Sequence, residues 1–545
     1  MSALLAAAPL FPFLLAVLCA LPAVRRHAPA LLVYAPVPGL LAALLVPDGV
    51  LVLPQGPFRI TLFLDAPGAL LLGASAVLWM AAGAYAATYL CRDRCRRSFS
   101  IWWLLTLSGS LAVFLVADIT SFYLAFALVS LAAYGLAAHE DTDAARRAGL
   151  VYLALTLLGE ALLLMAFVML ASGHPDANPL ITDAVAALPQ LAQRDWILGL
   201  LILGFGLKMG LFPLHVWMPL AHSVAPVPAS AVLSGIVVKA GVIGLIRFLP
   251  LDTAFPAWGD LLVAVGIFTA FYGLLVGLVQ TRTKTMLAYS TVSQMGVVAA
   301  VLGGGLAVGD AGAALAAAFY GANHVLLKGA MFLAVGLVGA GSLKRGAPVL
   351  VLTALLCLSL AGLPFTGGAL AKYAAKGPLG DGTAAALITV AAAGTTALML
   401  RFLAALRETG AADGAALAPL GLRLPWFILC GVALLAPYGV FALTLDQSLL
   451  AALGLSAFVS ALWPVLLGAG LALAALRWGG AVPAGLRIPP GDILVLAERL
   501  GAPLRRLGEG IGGLDDVLRR WPVASLLLAG LVVALALAFA GPGRL

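Results

Sequence analysis

Runs long enough to cross a bilayer, about 17–25 mostly apolar residues each, follow one another along almost the whole chain. Sixteen are counted, near 3–22, 29–47, 67–90, 100–117, 119–138, 148–171, 196–214, 229–250, 257–279, 285–303, 312–339, 348–379, 384–406, 425–445, 453–477 and 523–541. Hydrocarbon offers the backbone no partner, so every run must be helical. The pattern therefore predicts an all-α polytopic membrane protein of about 16 transmembrane helices, with the fourth and fifth runs the closest together.

The basic residues test that count. If loops alternate between the two faces, one face receives Arg25, Arg26, Arg92, Arg94, Arg96, Arg97, Arg146, Arg147, Arg282, Lys284, Lys344, Arg345, Arg407, Arg423, Arg477 and six arginines between 487 and 520. That is 21 of the 31 lysines and arginines, while the face bearing the termini receives only Arg59, Arg194, Lys376 and Arg544. A miscounted helix would scramble this separation. Basic loops face the cytoplasm, so a multi-pass protein of the bacterial inner membrane, with both termini outside, is expected. The first run lacks a basic leader and is expected to be retained rather than cleaved.

Two runs contain helix breakers. The seventh reads GLKMGLFPLHVWMPLAH, where Pro213 and Pro219 each remove a backbone hydrogen bond; the twelfth reads LAGLPFTGGALAKYAAK, with Gly362, Pro364, Gly367 and Gly368. They lie five runs apart and are antiparallel, which suggests two inverted five-helix repeats, 99–250 (helices 4–8) and 251–410 (helices 9–13). Paired discontinuous helices in inverted repeats point to a transport path. Flanking them are an N-terminal three-helix segment (1–98), helices 14 and 15 (411–480), an amphipathic segment on the basic side (481–522) and a last helix (523–545). The stretch from Arg487 to Arg520 is too polar to span. It reads either as a helix along the membrane surface or a neighbouring protein, or as a solvated connector.

Ionisable groups inside these runs carry the chemistry. Lys208, Lys239, Lys328 and Lys372 sit in the seventh, eighth, eleventh and twelfth runs, and Glu160 in the sixth. An ionisable group at bilayer depth costs at least ~2.5 kcal/mol and commonly lines a hydrated path for protons or ions; the alternatives are snorkelling or a structural ion pair. Lysine exchanges a proton readily when buried, which arginine does not. His324 and Lys328, four apart, share a helix face. His215 and His222 flank the seventh-run break, where each either relays protons or caps freed carbonyls. Arg247 and Arg401 lie near helix ends, positions from which a guanidinium snorkels. Asp65 and Asp118 lie at span edges as hydrated structural carboxylates, Asp118 being kept as a secondary relay candidate with His215 and His222.

Composition narrows the class. Of 545 residues, 63% are hydrophobic and only 10% charged, far below the roughly 25% of soluble domains. The net charge of +8 reports topology and not nucleic-acid binding. Cys19, Cys91, Cys95, Cys357 and Cys430 are scattered; Cys91 and Cys95 form a CxxxC with no second pair to complete a metal site. No nucleotide loop, haem motif or Ser/His/Asp set is present. No cofactor bound by this chain and no catalytic site of its own are expected.

Several segments resemble a known family: KMGLFPLHVWMPLAH…SAVLSGIVVKAGVIGLIRF (208–248), LAYSTVSQMG (287–296), HVLLKGAMFLAVG (324–336) and LAGLPFTGGALAK (360–372). They are similar to the antiporter-like membrane subunits of respiratory complex I (NADH:quinone oxidoreductase), of Mrp-type antiporters and of membrane-bound hydrogenases. The similarity covers about residues 60–410 and is nearest to the complex I M-type and hydrogenase-4 B-type subunits. It implies that Lys208 centres the input half-channel, Lys239 relays between halves, His324 and Lys328 form the centre, and Lys372 is the proton exit. Three positions depart from the family pattern. The fifth-helix glutamate that pairs with the seventh-helix lysine falls on Ala127, the acidic residue before Lys284 is Arg282, and the aspartate of the LPDAH-like run is Leu220. Glu160, in the next span, is the acid available to replace the first.

The expected function is a proton-translocating subunit of a complex I-like, redox-driven oxidoreductase, with a relay of Glu160, Lys208, Lys239, His324, Lys328 and Lys372. Its partners would be other membrane subunits, the lipid bilayer and protons. Two rivals stand beside it: an Mrp-type subunit exchanging Na⁺ for H⁺, and a non-pumping membrane scaffold of a related complex, for instance in inorganic-carbon uptake.

Overall fold

The computed structural model describes residues 2–494 except 20, 22–26, 54–58, 92, 94, 177, 342–346, 410–416, 446, 479–487 and 490. Most of the amphipathic segment and the whole of the last run therefore lie outside the described residues. Helices run α1 (Ala3–Leu18), α2 (Ala28–Leu31), α3 (Val37–Leu45), α4 (Ala66–Tyr89), α5 (Arg96–Val113), α6 (Ile119–Ala137), α7 (Asp143–Ser172), α8 (Ile181–Ala187), α9 (Arg194–Met209), α10 (Trp217–Val224), α11 (Val227–Val232) and α12 (Lys239–Phe248). They continue as α13 (Pro256–Leu278), α14 (Thr283–Val308), α15 (Gly312–Gly339), α16 (Ala347–Ala361), α17 (Gly367–Leu379), α18 (Thr383–Glu408), α19 (Leu420–Thr444), α20 (Leu449–Ala452) and α21 (Leu455–Trp478). Among the described residues, eleven helical stretches are long and apolar enough to cross a membrane; the protein is a polytopic, mainly helical membrane protein.

The spans carrying Lys239 and Lys328, with α14 between them, are the innermost. Every residue in the central window of Val227–Phe248 is buried, as are 89% in Gly312–Gly339 and 83% in Thr283–Val308, against 11% in Leu449–Ala475. The outer helices instead expose Leu124, Leu157, Met165, Leu275, Leu435 and Leu466, side chains suited to lipid or to neighbouring subunits. Close backbone contact builds this centre. A Cβ on Gly266 of α13 would lie 2.6 Å from Ala300 N and Gly296 O of α14, so only glycine lets the two helices approach so nearly.

Three local expectations are corrected. The run 29–47 is not one helix: it divides into α2 and α3, and Pro36, which has no N–H to donate to the turn before it, stands at the division. The all-helical expectation misses an antiparallel hairpin, β1 (Val50–Leu53) with β2 (Ile60–Phe63). Its groups are satisfied against the α5–α6 turn, where Phe63 N–H donates to Leu115 O (2.7 Å) and Ala117 N–H to Thr61 O (2.8 Å). Pro219 is the third residue of α10, where a proline interrupts nothing. The seventh-run break comes entirely from residues before it.

Candidate functional site

The two discontinuous spans end their first halves in the same way. α9 closes on Gly210 at φ +78° and α16 is followed by Gly362 at φ +96°, left-handed conformations that glycine adopts without steric cost. Proline follows within three residues in each, with a cis Phe212–Pro213 peptide in the first. Each break frees carbonyls that need donors, and a lysine stands beside each.

Lys208 lies in the last turn of α9, where the helix dipole favours a cation. It is 3% exposed; its Nζ lies 3.3 Å from the Tyr152 hydroxyl and over the Phe126 and Tyr152 rings, 5.7 and 5.5 Å from their centroids. Tyr152, on α7, donates to Ser130 O at 2.7 Å. Glu160 lies two turns further along the same helix, α7. Its two carboxylate oxygens are buried and find no hydrogen-bond partner in the described residues. Trp217 Nε1 donates to Leu207 O (2.9 Å), which also accepts from the Gly210 N–H (3.1 Å) at the break.

Lys239 opens α12 directly after a π-helical turn, Leu233–Val237. Such turns commonly mark functional positions. Its Nζ is 2.6 Å from His324 Nδ1, both groups fully inside the protein. One hydrogen bond needs one donor and one acceptor, so the pair is not doubly protonated in this arrangement. Lys328, one turn after His324 on α15, donates to Leu287 O of α14 at 2.9 Å. α14 lines this centre with Ser290, Thr291, Ser293 and Gln294, all buried; Thr291 meets Ser234 at 2.7 Å, and the Ser290 and Ser293 hydroxyls have no partner among the described residues. Buried hydroxyls of this kind are normally satisfied by water.

Lys372 reaches back from α17 to the Ala361 carbonyl that the second break frees. It is half-buried and lines a cavity with Tyr320, Tyr373, Lys376 and Thr389. That cavity has a volume of ≈ 60 Å³, several times the roughly 10–15 Å³ that one water requires.

The remaining sequence candidates stand apart from this row. His215 Nε2 lies 3.1 Å from Asp492 Oδ2 in a pair with side-chain exposures of 0% and 4%. Tyr272 (2.7 Å) and Tyr289 (3.0 Å) also donate to that carboxylate. Burial opposes ionisation of Asp492, yet the hydrogen bonds from His215, Tyr272 and the Ile493 N–H together hold its carboxyl below the ordinary carboxylate range. His222 is fully buried against Phe332, its ring nitrogens without partners among the described residues. Asp118 caps α6 through Ser121 N–H (2.8 Å) and also accepts from Thr61 N–H and Asn178; its structural duties are complete. Arg247 does not snorkel. Its guanidinium binds Asp65 (2.9 Å) and the carbonyls of Val113, Phe114 and Val116, sealing the end of α5.

The sequence reading missed Tyr152, Tyr320, Gln294, Thr395 and Asp492. The first four are uncharged polar residues in apolar spans, a weaker signal than a lysine but visible in the same runs. Asp492 belongs to a distant segment, and only tertiary structure brings it to the seventh-run break.

Comparisons with known proteins agree with this architecture. The family model described as "NADH:quinone oxidoreductase/Mrp antiporter, TM" matches residues 116–400. Hydrogenase-4 component B of Escherichia coli is 28% identical over 340 residues, 58% of this chain and 50% of that protein. A Na(+)/H(+) antiporter protein of Bacillus subtilis is 30% identical over 318 residues, 53% of this chain and 39% of that one. The match thus spans about half, or less, of the curated relatives' length. A solved Mrp complex from Dietzia sp. DQ12-45-1b contains a chain that superposes with a TM-score of 0.76 at 23% identity, covering 98% of this chain and 62% of its own. The membrane-bound sulfane sulfur reductase, an archaeal respiratory membrane complex, gives 0.67 at 21% identity, covering 86% and 99%.

Proposed function

The chain belongs to the NADH:quinone oxidoreductase/Mrp antiporter transmembrane family, and on that footing we propose that it is the proton-translocating subunit of a redox-driven membrane complex. The observation that carries this reading is the Lys239–His324 contact at 2.6 Å, fully buried and one helical turn from Lys328. Three basic groups so close, inside protein at membrane depth, have no structural reason to be basic; an apolar trio would pack at lower cost. Their use is to hold and pass a proton.

On this reading protons enter near Lys208, pass through Lys239, His324 and Lys328, and leave through the hydrated cavity at Lys372. Glu160 supplies the carboxylate that the family pattern puts at position 127, and the Tyr152 hydroxyl, on the same helix, holds the Lys208 amine. The driving electrons belong to partner subunits. The proposed topology keeps sixteen spans, helices 4–8 and 9–13 forming two inverted repeats, with basic loops in the cytoplasm and both termini outside, in a bacterial inner membrane. The Mrp-type reading, in which Na⁺ is exchanged for H⁺, draws on the antiporter relatives.

Inverted membrane vesicles carrying the native complex distinguish these functions. With NADH, H₂ or formate supplied in turn, proton uptake independent of sodium is expected with one donor. Uptake that scales with added Na⁺ would favour the antiporter, and none in an intact complex would favour the scaffold.

A further inference from the structure

Between the central pair and the Lys372 cavity runs a chain of uncharged side chains that the relay above does not use. Tyr320 lies one turn before His324 on the same face of α15, and its ring lines the Lys372 cavity. Its hydroxyl donates to Gln294 Oε1 of α14 at 2.6 Å. Gln294 Nε2 in turn donates to Thr395 Oγ1 of α18 at 3.3 Å, and Thr395 donates to Ala391 O at 3.0 Å. All three residues are at most 3% exposed.

Both hydroxyl donors in this chain are committed. Thr395 gives its hydrogen to a carbonyl, so it must accept from the Gln294 amide. That fixes the amide oxygen towards Tyr320, and the phenol hydrogen must point at it. What remains for the cavity is the phenol oxygen's lone pair. A water in the cavity beside Tyr320 would therefore have to donate one hydrogen to the phenol, leaving its second hydrogen free to donate onward towards Lys372.

We propose that Tyr320, held by Gln294 and Thr395, is a positioning residue that orients the water link between the His324 centre and the Lys372 cavity. This rests on the proton-translocating reading. The phenol itself neither gains nor loses a proton; it selects the orientation of the water that does. Three helices meet at this chain, so a bracing role alone is the alternative to exclude.

The test uses the native complex in inverted vesicles, with proton uptake normalised to assembled complex. Tyr320→Phe keeps the ring and removes the acceptor, and uptake is expected to fall at least about tenfold. Gln294→Leu frees the phenol hydrogen to turn, with a several-fold loss expected. Cysteine labelling at Lys372→Cys reads the cavity, and its rate is expected to be the same with Phe as with Tyr at 320. Should Tyr320→Phe fail to assemble, Gln294→Leu decides by the same readout. Uptake within twofold of wild type in Tyr320→Phe, while Lys208→Ala abolishes it, overturns the proposal and leaves proton translocation standing. If Lys208→Ala also retains uptake, translocation along the lysine row fails and this inference fails with it.

Discussion

The two broken spans begin alike and end differently. Each places a lysine beside a left-handed glycine and a proline, but Lys208 is sealed in aromatic walls with Glu160 on the same helix as its tyrosine partner, whereas Lys372 has, among the described residues, the Ala361 carbonyl and an open cavity with room for several waters. The first break is also plugged: His215 and Asp492 fill it with a buried, hydrogen-bonded pair braced by two tyrosines. The lesson is that a break serves two purposes. In one span it shapes a closed pocket in which an amine answers to a counter-charge; in the other it hands a carbonyl to an amine that answers to water.

The contrast can be attacked at four points. Lys208→Ala removes the sealed amine and should cut proton uptake per assembled complex by on the order of 10²-fold. Glu160→Gln removes the counter-charge while keeping shape. It should cost about tenfold, and in a Lys208→Ala background the added loss should vanish, as expected for two groups that act as a unit. Unchanged uptake in Glu160→Gln would show that Lys208 works without an acid, as Lys372 does.

Gly362→Ala tests the open end. A Cβ there would meet the Lys372 side chain at 2.8 Å, and alanine would be forced to φ +96°, a strain of about 1–2 kcal/mol. Uptake should drop a few-fold, with labelling at Lys372→Cys slowed. The smallest effect on transport is expected from Asp492→Asn, which weakens the plug by about 1–3 kcal/mol and should speed proteolysis after residue 478. The pH dependence follows from the sign of the shift. The folded carboxyl is held below its unfolded value, so its stabilisation is full above the ordinary carboxylate range and is lost as pH falls through the folded value. Wild type should approach the Asn variant in protease sensitivity only at strongly acidic pH; convergence near neutrality would contradict this.

Much of the site is legible in the sequence alone. A lysine in an apolar run is conspicuous because hydrocarbon penalises it, and Lys208, Lys239, Lys328 and Lys372 stand out on that ground. The breaks are legible from glycine and proline, although Pro219 is overread: a proline in the first turn of a helix looks the same in sequence as one in its middle. The hairpin at 50–63 is hidden because its strands are short and merge with the apolar run before them. The π-turn before Lys239 leaves no mark in LSGIV that distinguishes it from α-helix. Arg247 looks like a snorkelling end residue because the carbonyls it binds come from the end of α5, more than a hundred residues away. Asp492 lies in a segment judged by its amphipathic rhythm, which says nothing about which buried histidine it will meet.

The central claim is that the innermost basic cluster hands protons across the membrane. It is tested most directly by Lys239→Met in the native complex, with donor oxidation and vesicle proton uptake recorded together. The account predicts that the complex assembles and electron transfer persists, at least uncoupled, while uptake falls to background. Uptake at the wild-type ratio of protons to electrons would contradict it.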